Sequence, residues 1–144
     1  MKIPVNKNAP VYSRLTIEIY APLPKVWDVL TTIEEWPAWQ SDVKEARLNG
    51  PVEEGTAFVW KAGGLTFHSM IHTHEPGRQF GWTGKTLGAN AIHNWTFSET
   101  DEGTLVEVEE CLQGFLPSLF KKSFQKTLDS GMAKNLAELK NAAE

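Results

Sequence analysis

The sequence has almost no cysteine. Cys111 stands alone among 144 residues, which excludes an intrachain disulfide and fits a reducing compartment. Long hydrophobic runs are also missing. No segment approaches the ~18 apolar residues of a membrane-spanning helix, and the opening MKIPVNKNAPVYS lacks an apolar stretch of signal-peptide length. These absences predict a cytoplasmic protein without a membrane span. Basic charge is in short supply, with 14 Lys and Arg against 18 Asp and Glu for a net −4. The balance leaves no electrostatic footprint for nucleic acid or anionic headgroups, and only Lys121 and Lys122 are adjacent. The chain carries no Walker-type phosphate loop, no GxGxxG, no GxSxG elbow and no CxxC, so no cofactor is expected. No activating pattern surrounds Cys111, which reads as a passive small residue.

What is present is aromatic. Six tryptophans occur in the chain, two of them in EEWPAW (Glu34–Trp39) around a proline. The length suits one domain, residues 1–144, able to bury roughly 70% of the surface of its unfolded chain. Residues 1–10 read as a short tail. YSRLTIEIYA then alternates, with Leu15, Ile17 and Ile19 on one face, as a half-buried strand does. PLPKVWDVLTTI follows with Pro24 suited to a first helical turn and Val26, Trp27 and Leu30 at helical spacing. Pro37 interrupts any continuation and leaves Trp36 and Trp39 on a second, short helical turn.

From Val43 to Cys111 turn signals punctuate short apolar runs: NGPVEEG, AGG, EPGR, GKTLG and TDEG. Connections this short favour antiparallel hairpins. At the end, Leu116, Phe120, Phe124, Leu128, Met132, Leu136 and Leu139 recur every three or four residues and predict one long helix, with Pro117 in its first turn. The order of elements predicts an α+β fold, a curved antiparallel sheet of about seven strands closed by a C-terminal helix.

A curved sheet around one helix only ~10–12 Å across can leave a gap. Gly131 sits beside the apolar stripe of that helix, where glycine costs ~1 kcal/mol relative to alanine. Room for a ligand explains that cost, and so does close packing on a strand. Strand alternation places Phe58 and Trp60 on the inner face, then Phe67, Ser69 and Ile71, Phe80 and Trp82, His93, Trp95 and Phe97, and Val106, Val108 and Glu110. Aromatic walls with three polar intruders, Ser69, His93 and Glu110, suit a small-molecule pocket, although alternating aromatics also make a plain core. If His93 and Glu110 both face inward they form a carboxyl–imidazole pair capable of general acid–base work on a carbonyl or hydroxyl. His68, His72 and His74 fall on one face with Met70 by alternation, a face that looks outward. They read as surface histidines, and no metal site is expected.

The segment from Ile19 to Trp60 resembles the opening of the START-like (SRPBCC) proteins, in particular the polyketide cyclase/dehydrase and lipid-transport group. The matching positions are Ala21-Pro22, Val26-Trp27, Trp36, Trp39 and Val43, then Gly55, Phe58 and Trp60. Farther on, EPGRQFGWTG and HNWTFSETDEGTLVEVEECLQG resemble the family's later motifs, the latter through His93, Trp95, Phe97, Gly103-Thr104, Glu110 and Gly114. Thr100 replaces a proline of the family pattern at a turn. The resemblance implies a helix-grip fold with a deep apolar cavity under the C-terminal helix. It spans lipid carriers, aromatic polyketide cyclases, hormone receptors and quinone-binding proteins, so it implies no single activity.

The expected function is binding of a small hydrophobic ligand, aromatic, polyketide-like or acyl. The expected contacts are Trp39, Phe58, Trp60, Phe67, Ser69, Trp82, Trp95, Phe124, Leu128 and Gly131, with His93 and Glu110 orienting a polar group. Trp36 is expected to anchor the short helices and Trp39 to stand nearer the cavity mouth. Two rivals remain: a cyclase/dehydratase-like enzyme using His93 and Glu110 without metal, and a protein-interaction module with an exposed apolar patch around Phe115–Leu119.

Overall fold

Alternation along β1 (Val11–Ile19) turns Val11, Ser13 and Ile19 to a buried face and Arg14 and Thr16 to solvent. The computed structural model describes all residues, Met1–Glu144. After β1 come α1 (Leu23–Thr31), a 3₁₀ turn (Ile33–Glu35) and α2 (Trp36–Trp39). Six further strands follow: β2 (Val43–Leu48), β3 (Ala57–Ala62), β4 (Leu65–Glu75), β5 (Gln79–Thr86), β6 (Ala89–Glu99) and β7 (Thr104–Gln113). The chain ends in α3 (Phe115–Leu119) and α4 (Lys121–Ala143).

All seven strands form one antiparallel sheet in the order β1-β7-β6-β5-β4-β3-β2. Because β1 and β2 are its two edges, the chain between them must cross the sheet. It does so as α1, the 3₁₀ turn and α2, which close one end of the concave face. Pro24 lies in the first turn of α1, as its fixed φ favours. Trp36 Nε1 donates to the Leu30 carbonyl at 2.8 Å and locks α2 under α1. The α4 stripe Leu128, Met132, Leu136 and Leu139 is buried against the same face. This is the helix-grip architecture. No helix is long and apolar enough to cross a membrane.

Two expectations about these elements are corrected. The helix predicted to run unbroken from Leu116 is divided at Phe120, which leaves helical geometry (φ −122°, ψ 48°). The Leu116 N–H donates to the Gly88 carbonyl, tying α3 to the β5–β6 turn, whereas α4 follows the sheet. The three β4 histidines do not share a face. A bulge between Ile71 and Thr73 adds a residue and reverses the alternation beyond it. His68 stays exposed, while His74 turns inward, with ring centroids 5.8 Å from Trp27 and 6.1 Å from Phe80.

His72, at the bulge, is buried beneath the N-terminal residues. The Met1 ammonium donates to its carbonyl at 3.0 Å and the Ile3 N–H to its Nδ1 at 3.1 Å. Asn94 Nδ2 donates to the Ile3 carbonyl at 2.8 Å. Residues 1–10 therefore lie along the outer face of the sheet. Gly81 makes room for this: a Cβ there would stand 2.6 Å from both the His72 ring and the Asn94 side chain.

Candidate ligand-binding cavity

The concave face divides into a filled half and a hollow half, and residue size explains the division. Where α1 and the C-terminal half of α4 lie, the interior holds Trp27, Phe80, Phe97, Val106, Leu136 and Leu139, all buried. Trp27 meets Phe80 and Phe97 edge-on at 5.8 and 5.2 Å. Toward the other end, small residues Ala62, Gly84, Ala89 and Ala91 occupy inward strand positions. Under the first half of α4 these short side chains leave a cavity of about 320 Å³. That volume is at the lower end of the roughly 300–1,000 Å³ typical of small-molecule pockets.

Its apolar walls include Trp36, Trp60, Trp82, Phe67, Phe124 and Leu128. Trp60 stacks on Phe67 at 4.5 Å, and its Nε1 donates to Ser69 Oγ at 3.0 Å. Gly131 borders the space, and a Cβ added there would meet no atom within 4 Å. Close packing on a strand is therefore not the reason for this glycine. Near α2 the rim is polar. Asn135 Nδ2 donates to Gln40 Oε1 at 2.8 Å, Lys134 Nζ to Asp42 Oδ1 at 2.9 Å, and the Ser41 N–H to Glu138 Oε2 at 3.1 Å.

On the inner wall the cross-strand pair His93 and Glu110 meets, with Nδ1 3.1 Å from Oε1. Each side chain is only 14% exposed. The imidazole packs against Trp82 (centroids 4.5 Å) and against Trp95 (5.4 Å, nearly parallel). Burial penalises charge on both groups: it pushes Glu110 up to about 8 and His93 down to about 3. The neutral forms prevail, and the proton between them belongs on Glu110, with Nδ1 as acceptor and the ring N–H on Nε2. Nε2 is buried with no partner in the protein.

Of the residues predicted to touch a ligand, the fold brings Trp60, Phe67, Trp82, His93, Glu110, Phe124, Leu128 and Gly131 to the cavity. Four others lie off it. Phe58 and Trp95 face inward but are buried against residues of the cavity wall, Phe58 on Trp36 and Trp82 and Trp95 on Trp82 and His93, and Ser69 is covered by Trp60. Trp39 points away: it lines a separate outer groove with Lys134 and Ala137, and Trp36 takes the wall instead. The expectation for Trp39 is thus corrected, whereas Trp36 anchors the short helices as expected and walls the cavity as well. Sequence reasoning missed Leu30, Leu112, Met132 and Asn135 on the lining. The i+4 spacing of Met132 from Leu128 and of Asn135 from Gly131 was an available signal. Apolar side chains also stand exposed around α3, as Phe115 (63%), Leu119 (70%) and Phe120 (55%). No group of three or more His, Cys, Asp or Glu side chains comes together as metal ligands would.

Residues 11–144 match the profile of the family described as polyketide cyclase/dehydrase and lipid transport. The chain belongs to this family. Among solved structures, a START superfamily protein from Mycobacterium smegmatis superposes with a TM-score of 0.80 at 13% identity, covering 92% of this chain and 96% of that one. The di-domain aromatase/cyclase StfQ of the steffimycin biosynthetic pathway superposes with a TM-score of 0.78 at 17% identity, covering 92% of this chain and 50% of that one. DynU16, from the dynemicin biosynthetic locus, gives 0.72 at 20% identity, covering 90% of this chain and 46% of that one. The chain thus spans about half the length of the last two, and at these identities the likeness shows the fold alone. No curated protein sequence matches it.

Proposed function

We propose that the protein binds a small hydrophobic molecule, aromatic or acyl, in the cavity between the sheet and α4. The observation that carries this reading is the hollow itself, about 320 Å³ walled by Trp36, Trp60, Phe67 and Trp82 beneath an unobstructed Gly131. Apolar burial at ~25 cal/mol per Å², less the costs of ordering, supplies the affinity. His93 and Glu110 orient the ligand's polar group. Membership of a family described by lipid transport and cyclisation supports the reading without naming a ligand. Native mass spectrometry of freshly purified protein, followed by solvent extraction, tests it. A discrete bound mass is expected. A clean apo mass, together with no heat on titration with aromatic and acyl compounds, contradicts it.

A second reading, a cyclase/dehydratase-like enzyme, is favoured by one observation: Nδ1 and Oε1 lie 3.1 Å apart on the cavity wall. Glu110 would donate its proton to a carbonyl or departing hydroxyl and take one back as general base, with His93 Nδ1 holding the carboxyl in position. Turnover of a polyketone lost in Glu110→Gln, with binding retained, supports this reading. Turnover unchanged in Glu110→Gln and His93→Ala removes it.

A further inference from the structure

We infer that the cavity selects uncharged, compact aromatic compounds bearing a hydroxyl or carbonyl group, and turns away carboxylates. The inference rests on the binding reading above and narrows its ligand class. The lining contains no lysine and no arginine. Its ionisable side chains are three carboxyl groups, Asp42, Glu110 and Glu138, and one imidazole, His93. Two of the carboxyls stand at the α2 rim and are engaged, Asp42 by Lys134 and Glu138 by the Ser41 N–H. Lys134 itself does not line the space. Lys121, Lys122 and Lys126 are exposed on α4 and do not line it either. A ligand carboxylate that buried its rings against Trp60 and Trp82 would therefore lose its water and find no positive charge. An unpaired buried ion is among the costliest arrangements in a protein.

A hydroxyl or carbonyl meets the opposite situation. His93 and Glu110 both line the cavity as a hydrogen-bonded pair, Nδ1 3.1 Å from Oε1, and a carboxyl held this way can donate to or accept from a ligand oxygen. Size also narrows the ligand class. At about 320 Å³ the hollow stands at the lower end of the range for small-molecule pockets, which suits a compact compound of one or two rings.

The test is calorimetric titration of the intact protein with naphthol, methyl naphthoate and naphthoate at about pH 7, where the last is ionised. Naphthol and the ester are expected to bind, and naphthoate to bind at least about tenfold more weakly than its ester. Naphthoate binding within about threefold of the ester overturns the inference while leaving the binding reading intact. Absence of binding by all three instead contradicts the binding reading. Because apolar cavities in general prefer neutral solutes, a variant identifies the cause. Thr127→Lys places a cation at an exposed lining position of α4 and is expected to narrow the gap between acid and ester. A gap unchanged in that variant overturns the assignment of the exclusion to the missing positive charge.

Discussion

His93 and Glu110 are directly paired across β6 and β7, one imidazole nitrogen 3.1 Å from one carboxyl oxygen, and burial holds both uncharged. A charged pair at this distance would behave differently in solution, and the difference is measurable.

The neutral pair predicts a particular dependence of stability on pH. Glu110 titrates near 4.5 unfolded and about 8 folded, so between these values the folded state binds the extra proton and stability falls as pH rises. His93 titrates near 6.5 unfolded and about 3 folded, so its contribution is lost as pH falls through that range. From 4.5 to 6.5 the two slopes oppose each other, and from 6.5 to 8 only Glu110 acts. Urea unfolding should show stability declining across that upper window, by up to about 1 kcal/mol per pH unit. In Glu110→Gln the decline should shrink. An identical slope in both proteins would mean that Glu110 is ionised in the folded state.

Gly131→Ala should stabilise the protein. The position is helical and faces open space, so alanine gains about 1 kcal/mol of helix propensity with no clash. Thermal unfolding should rise by roughly 3 °C. A fall in Tm would show that the helix backbone at this point depends on contacts a methyl group disturbs.

The two tryptophans of EEWPAW should respond unequally to substitution. Trp36→Ala removes a buried ring and its hydrogen bond to Leu30, a loss of about 3–5 kcal/mol, and opens the cavity wall. Trp39→Phe removes an Nε1 that has no partner, away from the cavity, and should change stability by less than about 0.5 kcal/mol with ligand binding unaltered. Denaturant curves of the two variants check the contrast.

Gly81→Ala should loosen the N-terminal residues. The added methyl meets His72 and Asn94, the side chains that hold Ile3, and should cost about 1–3 kcal/mol. Limited proteolysis within residues 1–10 should accelerate in the variant. Unchanged cleavage would show that the tail does not depend on this pair.

Much of this architecture could be read from alternation and turn residues. Parity along each strand put Trp60, Phe67, Trp82, His93 and Glu110 on the concave face, where they lie. Parity does not tell how far along the sheet a residue stands. Phe58 and Trp95 obey the same alternation as Trp60 and His93, yet they are buried behind Trp36, Trp82 and His93 and do not line the space. The more telling signal was the small residues Ala62, Gly84 and Ala91, which leave volume where an aromatic would fill it. The bulge at His72 carries no turn signature, and one added residue sends His74 to the opposite face. Trp36 and Trp39 sit on a single helical turn, whose orientation comes from the Nε1 bond to Leu30, a contact that spacing alone does not specify.

The most direct measurement is calorimetric titration of naphthol into the wild-type protein and into Gly131→Trp, in which an indole is projected from α4 into the hollow. Saturable binding to the wild type and its loss in a variant that keeps the same circular dichroism spectrum would place the ligand beneath Gly131. Equal binding to both proteins, or none to the wild type, would contradict a ligand site between the sheet and α4.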